Sequence, residues 1–259
     1  EKSQEKPLTK VPTEKVAAAK LTLVYDNNPE PERVSPTWFY PDVVRGRSHG
    51  DHLRTGWGFS CLVEIDRQTI LFDTGADSPT LLSNMEVLGI APETIDIVVL
   101  SHIHGDHVGG LAGFLERNSA VKVFLPASFP QSFKDRVQSF GADVVEINAP
   151  AKVTEGVSST GELGTLIKEQ ALIVQTTKGL VIITGCAHPG IVEIAKKAKA
   201  LSDEKIYLTL GGFHLGSTSD SEIRSIIKDL KNLSVIKAAP CHCSGDRARE
   251  LFKEEYQED

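Results

Sequence analysis

His102, His104, Asp106 and His107 fall within one short segment, HIHGDH, just after the apolar run Ile97-Val98-Val99-Leu100. Imidazoles and a carboxylate delivered together at the end of a buried strand are the donor types that hold divalent cations. Residues 102 and 104 are two apart, so in an extended segment both rings point the same way. A helix starting near Gly105 then turns Asp106 and His107 to an adjacent position. One pair suits one cation and the other pair a second. The competing reading is a strand-to-helix turn in which Asp106 caps the helix, and three imidazoles beside one aspartate are too many for that role.

The elements that must position these groups follow from the apolar pattern. Leu21–Tyr25 reads as a strand ended by turn formers at Asp26-Asn27-Asn28-Pro29. Residues 57–65 and 69–73 read as a hairpin running into Asp73-Thr74-Gly75, and Ser78-Pro79 as a helix start with Ser78 as N-cap. Strand 95–101, helix 106–117, strand 121–125, helix 129–139 and strand 142–147 alternate, which indicates α/β layering. A second hairpin, 169–177 with 179–184, turns at Lys178-Gly179. It is followed by a helix with Ile191, Ile194, Ala195 and Ala198 on one face, strand 205–210, and a helix with Ile223, Ile226, Ile227 and Leu230 at helical spacing. Strand 234–238 and a charged helix close the chain.

His102, His188, His214 and His242 each lie just beyond the carboxyl end of a predicted strand, the edge where layered α/β proteins build sites. The chain has 8 histidines, and all but His49 and His52 fall in these four places. Scattered surface histidines would not be distributed in this way.

Bulk composition narrows the partners. The 259 residues are 40% hydrophobic and 6% aromatic, as expected for a globular chain, and no second composition regime appears. Lys+Arg 28 against Asp+Glu 35 gives 28 − 35 = −7, which argues against nucleic acid or an anionic membrane and for a small-molecule substrate. No apolar run approaches the length of a membrane span. Residues 1–19 are a Lys/Glu/Pro-rich stretch read as a flexible tail, with 20–259 as a single domain. The chain opens on Glu1, so removal of a preceding segment is expected; whether it is exported or cytoplasmic stays open. Cys186 stands beside His188, and Cys241 and Cys243 flank His242, which is not how a disulfide framework is laid out.

Residues 29–55 form a long irregular connection carrying Arg45, Arg47, His49, His52 and Arg54. The default for such a loop is a solvated polar segment, but Arg45, Arg47 and Arg54 could also meet a phosphate or carboxylate on the substrate.

HxHxDH after an apolar strand, preceded by a hairpin ending ILFDTG, resembles the metallo-β-lactamase-fold superfamily over about residues 20–245. The resemblance implies an α/β (α+β in some schemes) four-layer αββα sandwich of two similar halves. It also implies one or two divalent cations at the strand edge between them, zinc ahead of manganese or iron. His102 and His104 would hold one cation, with His188 completing that set. Asp106 and His107 would hold the other, with His242 completing it. Where the superfamily often supplies an aspartate bridging both metals, this chain has Cys186, which either ligates as a thiolate or is a packed thiol. His214 follows Gly211-Gly212 and is either close to the reacting centre or a partner to a ligand, and Asp73 reads as a carboxylate orienting an HIHGDH histidine.

GLVIITGCAHPGI, GGFHL and Pro240-Cys241-His242-Cys243-Ser244-Gly245 look like the dihydropterin-ribofuranosylaminobenzene phosphate synthase-like branch. With three neutral ligands on one cation and a carboxylate on the other, a bound water would have its pKa lowered from ~15.7 to ~7, which points to a hydrolase of a small anionic ester, lactone or phosphodiester. Asp106 or His214 would handle the departing proton. The alternatives are a condensing synthase as the branch name describes, and a metal-binding or sensor protein without turnover.

Overall fold

The computed structural model describes residues 14–27, 52–66 and 68–256. Its first half runs β1 (Ala19–Tyr25), β2 (Ser60–Ile65), β3 (Gln68–Phe72), α1 (Ser78–Val87), β4 (Ile97–Val99), α2 (Gly105–Val108), α3 (Leu111–Arg117), β5 (Lys122–Pro126), α4 (Gln131–Ser139) and β6 (Asp143–Ile147). The second runs β7 (Ala151–Thr154), β8 (Val157–Ser159), β9 (Leu172–Thr176), β10 (Gly179–Thr184), α5 (Ile191–Leu201), β11 (Ile206–Gly212), α6 (Asp220–Asn232), β12 (Lys237–Cys241) and α7 (Asp246–Tyr256).

Each half forms one sheet. The first is ordered β1-β2-β3-β4-β5-β6 and the second β12-β11-β10-β9-β8-β7. Both begin as antiparallel meanders and become parallel where helices intervene: β3 to β6 in the first, β10 to β12 in the second. Alternation along the strands sorts side chains into layers. Ile70, Phe72, Val181 and Ile183 face the core between the sheets, with Phe59, Val99, Leu172 and Leu210. Leu71, Val98 and Leu125 face α1, α3 and α4 through Leu81, Phe114 and Val137. Leu180 and Ile182 face α5, α6 and α7 through Ile194, Ile227 and Leu251. The result is the expected αββα sandwich.

Several local expectations change. The N-cap of α1 is Asp77, not Ser78: Asp77 accepts the Thr80 N–H at 2.7 Å and the Tyr25 hydroxyl at 2.8 Å. Ser78 instead receives the Gly113 N–H at 3.1 Å. The helix read over 106–117 is two helices, broken at Gly109-Gly110. A Cβ on Gly109 would lie 2.0 Å from the Ala76 carbonyl oxygen, and one on Gly110 2.1 Å from that of Thr74. This close approach seats the HIHGDH segment on the loop after β3. The last strand lies later than expected, at Lys237–Cys241, because Ser234 turns the chain at φ 61 first; Pro240 is tolerated there because β12 is an edge strand. Strands β7 and β8 go beyond the sequence reading, since Ala, Lys and Ser give them little strand character; β8 forms by pairing with β9, and β7 by pairing with β8. Val16, within the stretch read as a tail, is buried and bridges Thr176.

Candidate metal centre

Both sheets deliver their strand ends to one place. Asp73, just past β3, is fully buried in a left-handed conformation at φ 57. Its Oδ1 accepts the Ser101 N–H and its Oδ2 the Ser101 hydroxyl, both at 2.7 Å. Oδ2 also meets His107 Nδ1 at 2.8 Å. Since an ionised carboxylate only accepts, Nδ1 of His107 carries the proton and Nε2 keeps its lone pair. Ser101 Oγ, its own proton given to Asp73, accepts from His102 Nδ1 at 2.9 Å. His242 follows the same rule: Nδ1 faces Asn27 Oδ1 at 3.0 Å, while Asp26 accepts its backbone N–H at 3.0 Å. Three rings from three elements therefore present bare Nε2 atoms.

In the second half the organiser is Glu169, buried and just ahead of β9. Its Oε1 accepts from the Thr184 hydroxyl and the N–H groups of Gly185, Cys186 and Ala187 at 2.9–3.1 Å, and its Oε2 accepts from the N–H of His188 at 2.8 Å. The turn 184–188 is wrapped around this one carboxylate. Next to it, Gln170 donates from Nε2 to the Leu100 carbonyl at 2.9 Å, tying the second half to the end of β4. The hairpin strand read from 169 starts only at Leu172, since Glu169 and Gln170 serve the strand edge instead.

The resulting cluster is tight. The ring centroids of His102, His104 and His188 lie 4.6, 4.8 and 5.0 Å apart pairwise, and His107 lies 4.2 Å from His102 and 5.0 Å from His242. Asp106 Oδ2 is 3.3 Å from His242 Nε2 and 3.6 Å from His107 Nε2. Cys186 Sγ is 3.1 Å from His107 Nε2. Among the described residues, Asp106, His107, Cys186 and His242 form one group whose donor atoms lie within 4.8 Å of one another. His102, Cys186 and His188 form a second, and Cys186, His214 and Cys243 a third.

These groups fit a divalent cation. Nε2 of His102, His188 and His242 is buried without a hydrogen-bond partner, a cost a folded protein normally avoids. Donors held ~2.0–2.1 Å from a tetrahedral ion lie ~3.3 Å apart, close to the Asp106 spacings. Of the non-glycine residues in left-handed backbone among the described residues, Asp73, Ala187, His214 and His242 all stand at these strand ends. Strain of roughly 1–2 kcal/mol at each is held by the surrounding contacts.

The electrostatics of His102, His188 and Asp106 agree with unprotonated donors, while His107 and Cys186 are shifted toward their protonated forms. Burial, then the neighbouring imidazoles of His107, His188 and His104, pushes His102 far below the ordinary histidine range. Burial, with His214 and His104 nearby, lowers His188 to about 4. Burial raises the Asp106 carboxyl, but the His242 imidazole at 3.3 Å and the electrostatic influence of His107 and His242 outweigh it and hold it at about 2. Burial likewise lowers His107, while the charge and hydrogen bond of Asp73 win and raise it. Cys186 is pushed up by its hydrogen bond with Cys243 and by burial, and the same hydrogen bond brings Cys243 down to about 6.

The structure thus brings His102, His104, Asp106, His107, Cys186, His188 and His242 together, with Asp73 behind them. His214 stands at the rim, exposed, its ring 4.6 Å from His188. Arg54 is exposed, its backbone N–H bound to Asn84 Oδ1. Arg45, Arg47 and His49 lie outside the described residues. Sequence reasoning missed Glu169, Ser101 and the Asp26-Asn27 pair. A glutamate opening an apolar strand was the available signal for the first.

Comparison with known proteins places this arrangement. Residues 56–201 match the metallo-beta-lactamase superfamily. The chain is 34% identical to the 7,8-dihydropterin-6-methyl-4-(beta-D-ribofuranosyl)-aminobenzene-5'-phosphate synthase of Methanocaldococcus jannaschii, over 78% of this chain and 85% of that protein. The structure of Tm1679, described as a metal-dependent hydrolase of the beta-lactamase superfamily, aligns with a TM-score of 0.69 at 27% identity, covering 92% of this chain and 93% of that one. Human tRNase Z, short form, shares the fold at a TM-score of 0.52 and 13% identity, covering 91% of this chain and 88% of that one. With that architecture and these matches, the chain belongs to the metallo-beta-lactamase superfamily.

Proposed function

We propose that the chain is a cation-dependent hydrolase of a small anionic ester, lactone or phosphodiester. The observation that carries this reading is the convergence of bare imidazole nitrogens from both halves around Asp106. His102, His104 and His188 would hold one cation, and Asp106, His107 and His242 a second, zinc being the best match to this donor set. Cations held there supply Lewis acidity and lower the pKa of a water toward neutrality.

The chain's own groups do the rest. Asp73 and Ser101 fix the tautomers and directions of His107 and His102. Asp106, held at about 2 and engaged by two imidazoles, is a poor proton donor, which leaves the proton of the leaving group to the exposed His214 imidazole. Arg54, which is exposed, is the candidate for an anionic substrate group; the sequence offers Arg45 and Arg47 for the same role.

A second reading has its own support. The Trp57 indole is 61% exposed and 5.2 Å from the His242 ring, a free face on which a flat heterocycle can stack. That suits the pterin substrate named for the Methanocaldococcus jannaschii relative and a condensing reaction at the same centre.

Metal analysis, with a screen of phosphodiester, lactone, ester and pterin substrates comparing the parent with Asp106→Ala, tests both. Asp106-dependent hydrolysis is expected. A condensed pterin product would favour the synthase, and a full metal complement with no Asp106-dependent turnover on any class would overturn both in favour of a binding protein.

A further inference from the structure

Cys186 Sγ is common to all three donor groups: a first with Asp106, His107 and His242, a second with His102 and His188, and a third with His214 and Cys243. The residue is buried, and its sulfur already sits 3.1 Å from His107 Nε2. Zinc–sulfur and zinc–nitrogen bonds of ~2.3 and ~2.0 Å put such donors about 3.5 Å apart around one ion, so the thiol is at ligand range without moving far.

The backbone allows it little freedom. Glu169 holds the N–H of Cys186 at 3.0 Å, and Ala187 turns the chain at φ 55 directly after it. Gly212 packs against the turn so closely that a Cβ there would lie 3.2 Å from Cys186 Cα and 2.7 Å from Cys243 Sγ. These contacts fix the backbone that carries the sulfur shared by the first two groups.

Charge points the same way. The set His102, His104 and His188 contains no anion, and Asp106 supplies the only carboxylate to the other. Two dications at ~3.5–4 Å repel strongly unless an anionic donor lies between them. Asp73 is committed to Ser101 and His107 Nδ1, and Glu169 to the turn 184–188. Among the described residues, Cys186 is the ionisable group at the shared position.

We infer that Cys186 serves as a thiolate shared by both cations, a sulfur bridge between the two halves of the centre. The inference rests on the two-cation reading above. It makes the centre softer than an all-oxygen and nitrogen one and favours zinc or cobalt over manganese.

Cobalt(II) titration of the full chain, followed by absorption and electron paramagnetic resonance, tests it. Sulfur-to-cobalt charge-transfer absorption should grow through both the first and second equivalents, and the paramagnetic signal should weaken as the second binds and couples to the first. Cys186→Ser should abolish the band and weaken the second equivalent by at least about 10-fold. Cys186→Asp should bind two equivalents without the band, and Cys243→Ser should keep it. Two equivalents with charge transfer confined to one, or a band lost in Cys243→Ser and kept in Cys186→Ser, would overturn the bridge alone. A single equivalent bound by the parent would overturn the two-cation reading and the bridge with it.

Discussion

Replacing Glu169 by glutamine removes one charge and almost no volume, and the structure says what that should cost. The carboxylate accepts four hydrogen bonds on Oε1 and one on Oε2, all from the segment 184–188. Glutamine has one acceptor oxygen, so its best orientation keeps the four donors and points its own NH2 at the N–H of His188. Each retained bond falls from roughly 1.5–3 kcal/mol to roughly 0.5–1.5 kcal/mol, and the clash of donors at His188 adds about 1–3 kcal/mol. Because four donors share one oxygen the terms do not add fully, and about 3–5 kcal/mol is the expected total. With a urea dependence of about 2–3 kcal/mol/M for a chain of this size, the unfolding midpoint should drop by about 1–2 M. Glu193→Gln, at an exposed pair with Lys196, should stay within about 0.5 kcal/mol of the parent. Equilibrium unfolding followed by circular dichroism measures both. A Glu169→Gln midpoint indistinguishable from that of Glu193→Gln would refute the idea that this carboxylate builds the turn.

Asp73→Asn should weaken divalent-cation binding about 10- to 100-fold in isothermal titration while leaving the fold in place, since the amide can no longer accept from both Ser101 and His107; unchanged affinity would contradict that role. Acid should destabilise the cation-free chain before the carboxylates titrate. His188, held at about 4, and His102, pushed lower still, are neutral in the folded state where the unfolded chain, at ~6.5, takes up protons. Their contribution is therefore complete above pH ~6.5 and lost as pH falls toward 4. His107, raised by Asp73, acts with the opposite sign, favouring the fold below pH ~6.5, but it is one group against two. Urea midpoints measured in chelator at pH 7 and pH 5 should fall with the pH, and a flat or rising trend would refute the assignment.

The sandwich was legible because strand alternation and helix periodicity are written locally: Val181 and Ile183 against Leu180 and Ile182, or Ile223, Ile227 and Leu230 on one face of α6. The HIHGDH segment was legible because its donors are adjacent in the chain. What the sequence hid are the relations between distant segments. Glu169 looks like a strand residue until its five donors are seen. The break at Gly109-Gly110 depends on the carbonyls of Thr74 and Ala76, and β8 and β7 exist through successive pairing onto the edge of β9. Cys186 read equally as ligand or packed thiol, since chain position alone does not reveal that three donor groups share its sulfur.

The donor atoms are divided across the seam of the sandwich: residues 102–107 ride on one sheet, and residues 186, 188 and 242 on the other. An ion seated between them would work as a rivet, and neither sheet could then slide or part from its mate without tearing the chelate. Retention of metal is thus a gauge of how firmly the two leaves stay shut. Loosening the apolar filling between them, at Phe72 or Leu172 for instance, would show itself as leakage of the ion long before the chain unravels.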